Sequence, residues 1–166
     1  MKEGERWGEG CSYGYGLDFG FNDPDAMVKV AVDQKNKRIW CDEKIYKSGN
    51  SADMLIGQIN PFYSRGELIM ADSADARMIN TLLKYYNIRP VNKQKFTISE
   101  ALKMMQDYEI IITDTSYNLA KELNNYIWSD KKAGIPVDDY NHLIDCIRYW
   151  FMFNVGSNQI TTRAIG

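Results

Sequence analysis

The sequence predicts an α/β domain with a mixed sheet: an antiparallel meander followed by alternating helices and strands, flanked by helices. Three apolar segments near the N-terminus, separated by short polar links, predict the meander. From position 51 onward, helically spaced apolar residues alternate with short apolar runs. Hydrophobic residues make up 45% of the 166, which suffices for a packed core. We therefore expect a single domain over residues 1–166.

The meander strands are predicted at residues 14–21, 26–32 and 38–46. Small and apolar residues alternate in the first strand, and Asp23-Pro24 marks a turn after it. The polar run at 33–37 joins the second strand to the third. Such short links favour antiparallel neighbours.

Helices are predicted at 51–60, 75–86, 97–107 and 116–126. Ser51 is the expected N-cap of the first, and Pro61 ends it. Thr97 and Glu100 match a capping box. Apolar residues at a spacing of three to four predict the buried faces of the first two helices: Met54, Leu55 and Ile59, then Met78, Ile79, Leu82, Leu83 and Tyr86.

Short strands are expected at 67–71, 88–91 and 109–113, the last of them buried. Pro90 places the 88–91 strand at an edge or ends it. An extended piece at 127–129 and a loop at 130–136 then precede the last helix. That helix is expected to be capped by Asp138 or Asp139 and to end near Asn154.

Composition narrows the function classes only in part. The net charge of −2 neither predicts nor excludes nucleic-acid binding. No run of about 18 apolar residues indicates a membrane span. Three cysteines without a CxxC pair argue against a disulfide framework and favour a reducing, cytosolic setting. The P-loop, HExxH and GxSxG motifs are absent from the sequence.

Three acidic positions are candidates for metal chemistry. Asp18 lies inside an apolar strand, where an ionised carboxylate is costly unless it is paired or bound to metal. Asp72 follows a strand, a common place for ligand sites in α/β sheets. In the last helix, His142, Asp145 and Tyr149 share one side, opposite a broad apolar face. Three converging carboxylates would suit Mg²⁺ or Mn²⁺ and phosphodiester hydrolysis.

Each of these residues also has a plainer interpretation. Asp18 could serve a turn, and Asp72 could cap the helix that follows it. A single helical histidine is more often structural than a ligand, and Tyr149 fits packing. Asp139 fits a helix cap or a support behind the ligands.

Taken together, three segments are more specific than any one residue. GLDFGFNDPDA, MADSADARMINTL and IPVDDYNHLIDCIRYWF resemble, in this order, the motifs of the nuclease domain of phage terminase large subunits. The stretch TISEALKMMQDYEIIITDTSYNLAKELNNYIW resembles the connecting region of that family. The resemblance implies a ribonuclease H-like fold. It also implies a metal-dependent endonuclease that cuts concatemeric viral double-stranded DNA during genome packaging.

The resemblance assigns roles to individual residues. It implies that Asp18, Asp72 and Asp145 are catalytic and hold two Mg²⁺ or Mn²⁺ ions, with His142 beside them and Asp139 behind. Whether His142 binds metal or supports water and phosphate stays open. Four lysines are candidates for contacts to the DNA backbone: Lys93, Lys95, Lys131 and Lys132.

The resemblance also implies partners and a setting. These are double-stranded DNA, the terminase small subunit and the portal protein, in the cytoplasm of a bacterial host, with no membrane. Nothing here resembles the packaging ATPase of full-length terminases, so residues 1–13 are expected to be a flexible or truncated linker from it, and 155–166 a tail.

Three alternatives stay open. One is another nuclease of the same fold, of the resolvase or transposase type. Another is an inactive prophage remnant that serves in docking. The third is an actin-like ATP site, which GLDFG also resembles, although Phe21 stands where that superfamily has a small hydroxyl residue.

Overall fold

The structure is a computed structural model that describes residues 6–133 and 141–158. Within these ranges, six strands form one sheet and five helices accompany them. The strands are β1 (Tyr13–Asp18), β2 (Asp25–Asp33), β3 (Arg38–Lys47), β4 (Leu68–Ala71), β5 (Asn87–Pro90) and β6 (Glu109–Ile112). The helices are α1 (Ala52–Ile59), α2 (Ala76–Leu82), α3 (Ile98–Met105), α4 (Tyr117–Ala133) and α5 (His142–Asn158).

The sheet has the order β5-β4-β1-β2-β3-β6. Strands β1, β2 and β3 form an antiparallel meander, whereas β4 and β5 run parallel to β1, and β6 runs parallel to β3. This confirms the predicted mixed sheet. Pro90 ends β5 at one edge, where a missing N–H removes no ladder bond. The expectation that β6 is buried is wrong. Strand β6 is the other edge of the sheet and pairs only with β3, so its residues are exposed or partly buried.

The sheet separates two hydrophobic cores. On one face, Leu17 and Ile69 pack with Leu55 of α1 and Ile79 of α2. On the other face, α3, α4 and α5 pack on the sheet through buried side chains that include Met105, Leu119, Ile147, Val28 and Val30. Within the described residues, no helix is both long and apolar enough to cross a membrane.

The predicted caps of two helices are confirmed. The Ser51 hydroxyl accepts a hydrogen bond from Met54 N at 3.2 Å, and Thr97 with Glu100 forms the complete capping box of α3. Parts of two predicted apolar faces are wrong: Met54 is 46% exposed and Leu83 is 51% exposed. Helix α2 ends at Leu82, so the residues after it no longer follow the helical repeat that predicted their burial.

The end of α4 also differs from the prediction. The extended piece at 127–129 and the start of the loop at 130–133 are wrong, because α4 continues to Ala133. Neither glycine nor proline interrupts α4 before Gly134. The rest of that loop, with Asp138 and Asp139, lies outside the described residues. Helix α5 begins at His142 and runs to Asn158, four residues beyond the predicted end.

Helix α5 lies directly on the backbone of β1. Gly14, Gly16 and Asp18 occupy alternate positions of β1 and therefore face the same side of the sheet. A Cβ atom on Gly16 would lie 1.8 Å from the carbonyl oxygen of Cys146, and one on Gly14 would lie 2.1 Å from the Trp150 ring. Glycine at both positions therefore lets α5 approach closely enough to contact Asp18.

This close approach makes Gly16→Ala a test of the packing. The added methyl group meets backbone that cannot move without displacing α5, so we expect a loss of at least about 1–3 kcal/mol in the free energy of unfolding. Urea denaturation measures it. Gly57→Ala is the control, because an added Cβ there meets nothing within 4 Å and should stabilise α1 by about 0.5–1 kcal/mol. Equal stability of G16A and the unchanged protein would contradict the close approach.

Candidate metal centre

Asp18 is the centre of the polar cluster between β1 and α5. It is 6% exposed, and both of its carboxylate oxygens are bonded by side chains of α5. His142 Nδ1 lies 2.9 Å from Oδ2, and the Tyr149 hydroxyl donates to Oδ1 at 3.2 Å. Two bonds from one helix fix the orientation of the carboxylate. Asp18 thus serves no turn, and Tyr149 does more than pack.

His142 stands between two acids. Its Nε2 lies 3.9 Å from Asp23 Oδ2, on the side of the ring away from Asp18. The hydrogen bond to Asp18 raises the pKa of His142, while burial opposes the shift. The imidazole therefore keeps its positive charge to higher pH than a free histidine does.

Asp72 follows β4, in line with the end of β1. Its backbone N donates to Leu17 O at 2.9 Å, which holds it next to the residue that precedes Asp18. Its Oδ1 accepts from Ala74 N at 3.1 Å and forms an ion pair of 2.6 Å with Lys93 Nζ. Helix α2 is capped instead by Asp75, which accepts from the third residue of the first turn. Asp72 is therefore free of the capping role.

Asp145 lies one turn after His142 on α5 and is paired with Arg148. The Arg148 Nη2 atom lies 2.9 Å from Asp145 Oδ1, and the arginine side chain is only 4% exposed. Burial raises the pKa of Asp145, and the charge of Arg148 opposes the shift. A buried arginine in this position was not foreseen, since its place in the sequence suggested only a helix side chain.

The Tyr149 hydroxyl bonds Asp18 and lies within the electrostatic influence of Asp145 and Asp72. Burial raises the pKa of Tyr149, and the charges of Asp18, Asp145 and Asp72 raise it further. The phenol therefore stays protonated and remains a donor to Asp18. In the part of the chain that the structure describes, no group of three or more His, Cys, Asp or Glu side chains is arranged to hold a metal ion. Each acid is bonded instead to a basic side chain: His142, Lys93 or Arg148.

Glu122 of α4 holds the start of α5. It is 2% exposed, and its Oε2 accepts from Leu143 N at 2.9 Å and from Ile144 N at 3.0 Å. These amides belong to the first turn of α5 and have no partner within that helix. Glu122 therefore orients the turn that carries His142. Sequence patterns could not reveal this, because the bond joins two helices.

The other predicted residues have different places. Lys93 contacts Asp72, as described above. Lys95 Nζ donates to Gly156 O at 3.0 Å, in the last turn of α5. Lys131 and Lys132 lie near the end of α4, but their side chains are outside the described part of the structure. Asp139 is also outside the described residues.

The chain matches a known family over most of its length. The sequence profile of the family described as "Terminase RNAseH like domain" covers residues 18–152. The chain belongs to this terminase family. The profile spans all four candidate site residues from Asp18 to Asp145.

Two terminase large subunits are related in sequence to this terminase domain. The PBSX phage terminase large subunit of Bacillus subtilis strain 168 is 28% identical over 128 residues, which is 75% of this chain and 29% of that protein. The terminase large subunit of Bacillus phage SPP1 is 27% identical over 146 residues, which is 82% of this chain and 35% of that protein. The domain thus spans about a third of the length of these curated relatives.

Solved terminase nuclease domains share the fold. The g2p large terminase nuclease domain of bacteriophage SPP1, with bound Mn, is 28% identical and superposes with a TM-score of 0.67, covering 86% of each chain. The P22 large terminase nuclease domain is 14% identical, with a TM-score of 0.67 and coverage of 91% and 85%. This likeness confirms the ribonuclease H-like architecture that the sequence motifs implied.

Glu122 gives the terminase domain a measurable pH dependence. Burial raises its pKa from 4.5 to about 7, although two backbone N–H groups stabilise its ionised form. Between these pH values the folded protein holds a proton that the unfolded chain has released, so the free energy of unfolding falls as pH rises.

We expect Glu122→Gln to weaken this fall, because the amide cannot titrate. The difference in slope should reach at most about 1.4 kcal/mol per pH unit. Urea denaturation of both proteins at several values from pH 5 to pH 7, in metal-free buffer, measures it. Parallel slopes for the two proteins would contradict the shifted ionisation.

Proposed function

We propose that this terminase domain is a Mg²⁺- or Mn²⁺-dependent endonuclease that cuts concatemeric viral double-stranded DNA during genome packaging. The observation that carries the proposal is the placement of Asp18 and Asp72 at the neighbouring ends of β1 and β4, with His142 of α5 bonded to Asp18 and Asp145 one turn further along that helix. The bound Mn of the SPP1 nuclease domain, which has the same fold at 28% identity, supports it.

The chemistry of the donor set fits hard divalent ions. Carboxylate oxygens and an imidazole are ligands that Mg²⁺ and Mn²⁺ accept. Three partly buried carboxylates repel one another, so the site needs positive charge to be stable. Lys93 and Arg148 supply such charge, and His142 adds to it when it is protonated. We propose that Asp18, Asp72 and Asp145 hold two ions, with His142 completing the set.

The bound ions would supply activation of water and stabilisation of the leaving oxygen. The protein's own residues orient the site. Tyr149 stays protonated and, with His142, holds Asp18 in one orientation. His142 bonds Asp18 through Nδ1, which leaves Nε2 on the other side of the ring for an ion when the imidazole is neutral. Arg148 holds Asp145, and Glu122 holds the first turn of α5, which carries His142.

The substrate and partners follow from the same proposal. Lys93, Lys95, Lys131 and Lys132 would contact the DNA backbone, which is independent of sequence and sensitive to salt. In a longer terminase this domain would work beside a packaging ATPase, with the small subunit and the portal protein. That setting is the cytoplasm of the bacterial host.

Replacing one acid tests the nuclease assignment. We expect Asp18→Asn and Asp72→Asn each to lower Mn²⁺-dependent nicking of a supercoiled plasmid by more than about 100-fold, since loss of a ligand costs more than loss of a supporting partner. Titration with Mn²⁺ should show weaker binding in both variants.

The matched control is Asp107→Asn, an exposed acid between α3 and β6, which should nick at the rate of the unchanged protein. Nicking that survives in D18N or D72N would refute the assignment. A folded protein that neither binds Mn²⁺ nor nicks DNA would favour the inactive docking domain.

A further inference from the structure

We propose that Lys93 competes with the metal ion for Asp72: it neutralises Asp72 in the metal-free protein and moves to a DNA phosphate when an ion binds. This inference rests on the proposed metal-dependent nuclease. It gives one residue two successive partners, and it makes metal loading and DNA binding depend on each other.

The backbone holds Lys93 beside Asp72. Val91 N donates to Ala71 O at 2.8 Å, which keeps the chain after β5 next to the end of β4. Asn92 Oδ1 accepts from Gln94 N at 3.0 Å and closes a turn around Lys93. From this turn, Lys93 Nζ reaches Asp72 Oδ1 at 2.6 Å.

Lys93 can move away from its acid more easily than the other two basic residues of the site, because its side chain is more exposed. Its side chain is 48% exposed, against 18% for His142 and 4% for Arg148. The Arg148 guanidinium also bonds Met152 Sδ at 3.8 Å and lies 5.0 Å from the centre of the Tyr149 ring. Lys93 is a point charge on a flexible four-carbon stem, so it can move while the fold stays unchanged.

Asp72 keeps its orientation when Lys93 leaves. Its Oδ1 also accepts from Ala74 N at 3.1 Å, a bond within the loop that does not depend on the lysine. The carboxylate is 14% exposed, so it stays accessible to an ion. An ion pair with one exposed partner is weak, and a divalent ion can therefore displace it.

Released Lys93 lies next to the acids that would hold the ions across a scissile phosphate. A lysine there gains a phosphate oxygen as its new partner, and the ion takes its place on Asp72. The positive charge of Lys93 thus binds DNA only after metal has loaded. In the metal-free protein the same charge is paired with Asp72.

The first experiment measures metal binding without DNA. Lys93→Met removes the competing charge and keeps much of the side-chain length, so the Kd for Mn²⁺ should fall by about two- to five-fold, the range for a weak exposed pair. Calorimetric titration of the full chain with Mn²⁺ measures it. Lys84→Met is the control, because Lys84 is exposed near the start of β5, at the opposite end of β4 from Asp72, and should leave the Kd unchanged.

The second experiment measures DNA binding at several salt concentrations, with Ca²⁺ and with EDTA. Each lost phosphate contact lowers the slope of log K against log salt by about 0.9. For a double-stranded oligonucleotide, we expect K93M to lose about this much slope in Ca²⁺ and none in EDTA.

The outcomes separate this inference from the proposed function. Unchanged or weaker Mn²⁺ binding by K93M, or an equal loss of slope in EDTA, overturns the competition while D72N still tests the metal site. Absence of Mn²⁺ binding by the unchanged protein overturns both.

Discussion

The bonds from α5 to the Asp18 carboxylate are the interaction on which the rest of the site depends. An ionised carboxylate that is 6% exposed needs partners on both oxygens, and His142 and Tyr149 supply them from one helix. That helix can reach Asp18 because Gly14 and Gly16 leave no side chain between β1 and α5. The bonds to Asp18 therefore depend on the close packing of α5 against the β1 backbone.

The position of α5 depends in turn on two carboxylates that bond the first turns of helices. Glu43 of β3 accepts from Leu119 N at 2.8 Å and so holds the start of α4. Glu122 of α4 accepts from Leu143 N and Ile144 N and so holds the start of α5. Each bond satisfies amides that a helix leaves unpaired, and an ionised carboxylate there also faces the positive end of the helix dipole. The site is thus linked through α4 to β3, two strands away from β1 in the sheet.

Each of the three acids of the site pairs with a basic side chain. These partners differ in burial: the side chain of Arg148 is buried, that of His142 is partly buried, and that of Lys93 is exposed. The family and its fold are established for this chain, since the profile covers residues 18–152 and the SPP1 nuclease domain superposes over 86% of it. The three pairs between acidic and basic side chains are features of this chain's own residues, beyond the family assignment.

By itself, the sequence determined the mixed sheet, the two helix caps at Ser51 and Thr97, the three acidic motifs and the family they resemble, because these are local patterns of period, capping and spacing. Only the tertiary structure decided what each acid bonds. Whether Asp72 caps α2 or pairs with Lys93, and whether Tyr149 packs or donates to Asp18, depends on contacts between distant segments. Glu122 and Arg148 were missed for the same reason: a buried charge is recognisable only once its surroundings are known. Local spacing says which side of a helix a residue occupies, whereas packing decides what that side meets.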